Sequence, residues 1–165
     1  MEAGLFEGRT AHATALREAI LAACAQGSRE IFWLDEGFVN WPLSDAAVLD
    51  ALTRWARRPR RLHLLALDFE DLRQRHPRFV QWRQTYDHCV EALAYEPEAA
   101  GGQENLASAL FVSGGEQAIS LRLFDTRLWR GALSLNAGDA LRTKEWFDAL
   151  AQRSSPSFAP TSLGL

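Results

Sequence analysis

Lysine is almost absent from this chain: of 18 basic side chains, Lys144 is the only lysine. A site that needs an ammonium group therefore has one candidate. Cysteine is nearly as scarce. Cys24 and Cys89 cannot build a disulfide framework, and no paired-cysteine zinc pattern occurs. No apolar run approaches the roughly 18–20 residues needed to cross a bilayer, so a membrane span is not expected. The first ten residues carry Glu2 and Glu7 and no basic flank leading into an apolar stretch, which is not the pattern of a secretory signal. Neither phosphate-cradling glycine pattern is present, and no serine sits in a Gly-x-Ser-x-Gly elbow. These absences lead to an expected cytoplasmic location.

What is present fits one domain, residues 1–165, with 47% hydrophobic and 24% charged residues. The net charge of −3 gives the whole molecule no preference for polyanions. The charge is unevenly spread: between Arg54 and Arg83 nine arginines face Asp68, Glu70 and Asp71, a local excess of +6. The cluster Arg57, Arg58, Arg60, Arg61 brackets a predicted helix end, where exposed carbonyls favour cations. A solvated helix end is thus the first reading of this segment and phosphate binding the second; nucleic acid is not the expected partner. Six tryptophans supply core and interface anchors and make a homodimer plausible.

Periodicity predicts a helix over Thr10 to Gln26, with Ala13, Leu16, Ile20, Ala23 and Cys24 on its apolar stripe and Gly27 as its stop. Glu30 to Asp35, with Ile31-Phe32-Trp33-Leu34, reads as a strand buried on both faces. Ser44 is the expected N-cap of a second helix, with Asp45 in its first turn and Pro59 beyond its end. Leu62 to Leu67 is a second buried strand. Two short helices split at His76–Pro77 follow, then a third strand from Val90 to Tyr95 and a polar loop from Glu96 to Asn105. Ala107 to Val112 and Gln117 to Phe124 flank Ser113–Glu116 as a hairpin. Leu133 to Leu135 is a further short strand and Gly138 to Gln152 a last helix. The tail from Ser154 to Leu165, with Pro156 and Pro160 and an apolar end at Leu163 and Leu165, is expected to pack on the body. The alternation implies an α/β fold, a three-layer sandwich of a mixed β-sheet with helices on both faces.

Few residues here carry chemistry. Asp35 and Asp68 each end a predicted strand, where ligands of α/β sheets gather. With Glu36, Glu70 and Asp71 nearby they are candidates for catalysis or for a divalent ion such as magnesium, although acidic residues at loop entries more often act as caps. His88 beside Asp87 is a candidate general base with no nucleophile identified near it. Trp41, His76 and Arg83 are candidate ligand contacts; the structural alternatives are a buried anchor, a helix break and a stem packed over the core. Buried structural roles are expected for both thiols. No metal site and no cofactor are predicted.

The helix, the strand Ile31-Phe32-Trp33-Leu34-Asp35, the segment Trp41-Pro42-Leu43-Ser44-Asp45-Ala46-Ala47-Val48, the strand Leu62-His63-Leu64-Leu65-Ala66 and the late hairpin together resemble one half of a phospholipase D-like domain. The segments Gln152-Arg153-Ser154-Ser155-Pro156 and Leu163-Gly164-Leu165 are similar to the ends of bacterial members of that group. The resemblance spans nearly the whole chain and rests on element order. It implies a domain that pairs with a second half or a second copy, and an anionic or phosphate-containing ligand. The enzymes of the family carry His-x-Lys followed four residues later by Asp on the strand entering the hairpin. The two histidines attack phosphorus and protonate the leaving group, while the lysines hold the phosphoryl oxygens. Here His12, His63, His76 and His88 are followed two places later by Thr14, Leu65, Arg78 and Val90. The equivalent strand, Leu106 to Val112, has no ionisable side chain. The family's phosphodiesterase mechanism has no residues here to carry it, so the expected function is a non-catalytic binding or interaction module. A divergent metal-assisted hydrolase built on the strand-end carboxylates is the first alternative, and phosphate or nucleic-acid binding by the arginine-rich segment the second.

Overall fold

The computed structural model describes residues 1–102 and 107–160. Leu106, Asn105 and the apolar tail end at Leu163 and Leu165 lie outside the described residues. Eight strands form one mixed sheet in the order β1-β7-β6-β5-β2-β3-β4-β8. They are β1 (Gly4–Glu7), β2 (Glu30–Leu34), β3 (Arg61–Ala66), β4 (Val90–Tyr95), β5 (Ser108–Ser113), β6 (Ser120–Asp125), β7 (Arg130–Ser134) and β8 (Ser154–Pro156). Among the described residues only β2–β3 and β3–β4 pair in parallel. β5 runs antiparallel to β2 and to β6, which places the expected hairpin at the centre of the sheet.

Five helices cover the two faces: α1 (Arg9–Ala25), α2 (Ala46–Trp55), α3 (Glu70–Arg75), α4 (Pro77–Thr85) and α5 (Ala137–Ala151). The layers are unequal, and β2 shows why. Successive strand side chains point to opposite faces. Ile31 and Trp33 accordingly enter the larger core with α1, α2 and α4, whereas Phe32 and Leu34 meet Phe147 and Leu150 of α5. The continuous apolar run in the sequence is the signature of this two-sided burial. The sandwich of a mixed sheet with helices on both faces is the observed fold.

Local chemistry sets the element ends. Gly27, at φ 70°, closes α1 in a conformation that costs glycine little. Asp45, not Ser44, caps α2: its Oδ1 accepts from the Ala47 and Val48 amides at 2.8 and 3.2 Å. Arg17 also donates to Asp45 at 2.8 Å and, as the main cause, holds its carboxyl below the usual range. At the other end of α2, Arg60 donates to the Trp55 carbonyl at 2.9 Å, so part of the arginine cluster does cap a helix end.

Two strands escape sequence reading. β1 pairs only with β7, and β8 only with β4. Beyond β8, Phe158 is 2% exposed and stacks on Phe69 at 5.0 Å. The α1 stripe also differs from expectation by one residue: Ala13 is exposed and His12 takes the buried position four residues before Leu16.

Candidate functional site

The chain turns sharply after β2. The Asp35 Oδ2 accepts from the Gly37 and Phe38 amides at 3.1 and 2.7 Å, an Asx-type turn. After β3, the Asp68 Oδ1 accepts from the Glu70 amide at 3.0 Å and so caps the first turn of α3. Both carboxylates therefore perform the capping role that sequence alone allowed them. Each uses one oxygen for that purpose, and both border a cleft of about 440 Å³ at the carboxyl ends of β2 and β3. That volume falls within the range of small-molecule sites.

Four carboxylates line the cleft: Asp35, Glu36, Asp68 and Asp71. Among the described residues no arginine or lysine does. Among the described residues none of the four has a cationic partner within 4.0 Å, although nine ion pairs are formed elsewhere. The negative field is felt across the cleft at Tyr95 on β4. Burial and then the charges of Glu36, Asp35 and Asp68 push its phenol up to about 12.

Beneath these acids lie polar groups without partners. His12 lines the cleft, is 2% exposed, and its Nε2 has no hydrogen-bond partner among the described residues. Its ring packs 5.2 Å from Trp129 and 5.8 Å from Phe6. Burial lowers its pKa against the opposing pull of Asp35, which favours the uncharged ring. Trp41 lines the same cleft, is 3% exposed, and its indole N–H is likewise unpartnered among the described residues. A buried polar group left unpaired costs about 1–3 kcal/mol.

The cleft is also flanked by strained backbone. Trp129, in its wall, has φ 55°, and Phe38, in the loop below it, has φ 60°. Left-handed geometry at a bulky side chain costs about 1–3 kcal/mol and persists only where its surroundings impose it. Two contacts impose it at Phe38: Asp35 takes its N–H, and the His76 Nε2–H donates to its carbonyl at 3.1 Å.

The other sequence candidates are not brought to the cleft. The Nδ1 of His76 accepts from the Ser44 hydroxyl at 2.8 Å while Nε2 serves Phe38, so both ring nitrogens are committed to holding loops. Arg83 is 5% exposed; it donates to the Phe158 carbonyl at 2.9 Å and to Asp87 at 2.7 Å. It anchors the segment after β8 rather than a ligand. His88 is exposed in the turn Asp87–Cys89 at the start of β4, the far end of that strand from Tyr95. Its neighbour Asp87 is engaged by Arg83, and among the described residues no carboxylate is hydrogen-bonded to its ring.

The described part of the expected motif strand, β5, is Ser-Ala-Leu-Phe-Val-Ser and carries no ionisable group. Lys144 lies on α5, where it donates to Asp148 at 2.7 Å and shares a shallow cavity with His63. His63 stacks on Phe32 at 4.4 Å and donates to Glu30 at 2.7 Å. This histidine and lysine come from different elements, on the face of the sheet opposite α1. Among the described residues no group of three or more histidine, cysteine, aspartate or glutamate side chains is arranged to hold a metal ion.

No family model matches the chain, and no curated protein matches it. Among solved structures, polyphosphate kinase from Porphyromonas gingivalis aligns over 88% of this chain at 13% identity and a TM-score of 0.39. The chain spans only 22% of that protein's length. The fold therefore stands on the sheet order and layering themselves. Among the described residues no helix is long and apolar enough to cross a membrane.

Proposed function

We propose that this chain is a non-catalytic, phospholipase D-like half that works as a binding module, its ligand site being the acidic cleft over β2 and β3. One observation carries the reading: four carboxylates without ion-pair partners and two buried, unpartnered polar atoms converge on a single cleft. A fold that stores uncompensated charge and strain in one place gives up stability there, and binding sites are where such deficits gather. The absence of ionisable groups on β5 supports the non-catalytic part. A metal-assisted hydrolase is favoured only by Asp35 and Asp68 bordering the same cleft; the donor geometry among the described residues does not support it.

A fluorine NMR screen of charged, neutral and aromatic fragments tests the reading, using the chain and its Asn40→Trp variant, which fills the cleft from an exposed loop position. Hits lost in the variant are expected. Hits unaffected by it, or none, overturn the cleft as a site. Bis(p-nitrophenyl) phosphate should not be turned over; turnover abolished by replacing a single histidine overturns the non-catalytic reading.

An anionic ligand would go elsewhere, to the groove of about 620 Å³ between α1 and α2, lined by Arg54, Arg57 and Arg60. Arg54 is paired with Asp50 and Arg60 caps α2, which leaves Arg57 without an acidic partner among the described residues. Self-association would use the β1 edge, where Leu5 is 86% and Leu128 49% exposed. Sedimentation at micromolar concentration should give a dimer that Leu5→Lys returns to 18.5 kDa; a single species of that mass in the parent chain rejects it.

A further inference from the structure

We infer that the cleft receives the primary ammonium group of a small organic amine, with Asp35, Asp68 and Asp71 supplying the countercharge and the unpartnered Nε2 of His12 an acceptor. The inference rests on the reading of the cleft as the ligand site and adds the chemistry of its occupant.

Charge decides first. A phosphate or carboxylate ligand entering this cleft meets, among the described residues, four carboxylates and no arginine or lysine. An ammonium group meets the reverse situation. Asp35 and Asp68 have each committed one oxygen to a backbone N–H, and each keeps a second oxygen to which no described residue donates. The available acceptors therefore outnumber the available donors, the balance that a group with three N–H donors and no acceptor completes.

One group on the floor of the cleft, His12, points the same way. The buried imidazole of His12 has an Nε2 unpartnered among the described residues, and burial favours the uncharged ring. A neutral ring does not repel a cation, and in its Nδ1–H tautomer Nε2 is the acceptor that suits an N–H donor. The walls are aromatic: Trp41, Tyr95 and Trp129 border the same space. Aromatic faces attract cations, and this chain already uses Trp129 in that way, with the Arg9 guanidinium 5.0 Å from its ring centre. Aromatic walls beneath a carboxylate rim accommodate an alkylammonium, its carbon chain on the rings and its nitrogen among the acids. The need for an N–H donor at His12 selects a primary ammonium over a quaternary one.

The test uses four probes against the full chain, followed by proton–nitrogen correlation spectra. Butylamine, butyrate and butanol share a carbon skeleton and differ in charge; tetramethylammonium carries the charge without an N–H. Butylamine should shift the Gly37 and Leu67 amides and the Trp41 indole N–H saturably, and more weakly in 0.5 M than in 0.05 M salt. The double variant Asp68→Asn with Asp71→Asn replaces two exposed side chains, and the carboxamide introduced at position 68 retains an oxygen for the Glu70 amide. It should bind butylamine at least tenfold more weakly while keeping the parent spectrum outside the cleft. Butyrate or butanol shifting these signals as strongly as butylamine would leave the cleft a ligand site and overturn the amine. Tetramethylammonium matching butylamine would overturn the N–H donor role assigned to the ligand. Silence from all four probes would count against the cleft itself.

Discussion

The His76 Nε2–H reaches the carbonyl of Phe38 at 3.1 Å and holds a residue whose φ is 60°. His76 lies between α3 and α4, and Phe38 lies 38 positions earlier in the loop that floors the acidic cleft. The Asp35 turn pins the other side of the same residue. The helix break at His76–Pro77 is thus a device for positioning the cleft loop from a distance. It acts through backbone, so the side chain of Phe38 remains free to fill the core against Trp41 at 4.9 Å.

Replacing His76 by leucine should expose this coupling. The variant keeps an apolar group of similar bulk but strips the Phe38 carbonyl and the Ser44 hydroxyl of their partner. A loss of about 1–3 kcal/mol is expected from urea unfolding. The amides of Gly37 and Phe38 should also exchange with solvent faster than in the parent chain. Unchanged exchange there would show that Asp35 alone holds the turn.

Stability should fall as the solution is acidified below about pH 6.5, the ordinary histidine value. Burial lowers the pKa of both His12 and His76, so in the folded chain both rings resist protonation. Asp35 opposes that shift at His12; at His76 the carbonyls of Phe38 and Val39 oppose it and Arg75 adds to it. Below the unfolded value the unfolded chain takes up protons that the folded chain refuses, which favours unfolding. Above it neither state binds them, and the contribution is flat. Each histidine steepens the decline by at most about 1.4 kcal/mol per pH unit. Urea midpoints between pH 7.5 and 5 check this, and replacing His12 by glutamine should flatten the slope.

Both thiols should be silent toward Ellman's reagent at pH 8 in the folded chain and should both react in urea. Cys24 is 8% and Cys89 0% exposed. Burial pushes the Cys24 thiol up to about 12, against the lowering influence of Arg60 and Arg54, and raises that of Cys89 as well. Little of either is thiolate at pH 8, and thiolate is the reactive form. Rapid reaction of one equivalent in native protein would show that the fold opens locally at one of the two thiols, and peptide mapping of the adduct would say whether it is α1 at Cys24 or the start of β4 at Cys89.

The elements legible in the sequence are those whose burial leaves a pattern. β2 and β3 lie inside the sheet with both faces covered, so their apolar runs identify them. Their following acids, Asp35 and Asp68, were legible as cleft residues because ligand sites in α/β sheets follow strand carboxyl ends. β1 and β8 leave no such pattern. Gly4–Glu7 is mostly exposed, and Ser154–Pro156 is three residues ended by a proline that only an edge strand tolerates. His12 was hidden by substitution within a pattern. Ala13 satisfies helical spacing as well as His12 does, and an apolar reading passes over the histidine. Spacing cannot separate the two, since both His12 and Ala13 fall in step with Leu16, Ile20 and Ala23; the structure buries His12 and exposes Ala13. Ser44 and Asp45 are equally good caps by composition, and the Arg17 contact from α1 selects between them.

The segment after β8 should depend on one arginine. Arg83 donates through Nε to the Phe158 carbonyl at 2.9 Å, and its guanidinium stands 5.5 Å from the centre of that ring. Arg73 approaches the same ring at 4.9 Å. Phe158 itself has φ 51° and is 2% exposed, so its conformation is imposed by these contacts and by the stack on Phe69. Arg83→Met preserves the aliphatic stem and removes the donor, which leaves a buried carbonyl unpaired at a cost of about 1–3 kcal/mol. Phe158→Ala removes a buried ring and should cost about 3–5 kcal/mol. The two sites touch, so the double variant should lose less than the two separate losses added together. Additive losses in urea unfolding would mean that Arg83 stabilises α4 through Asp87 alone and that Phe158 is held by its aromatic neighbours without it.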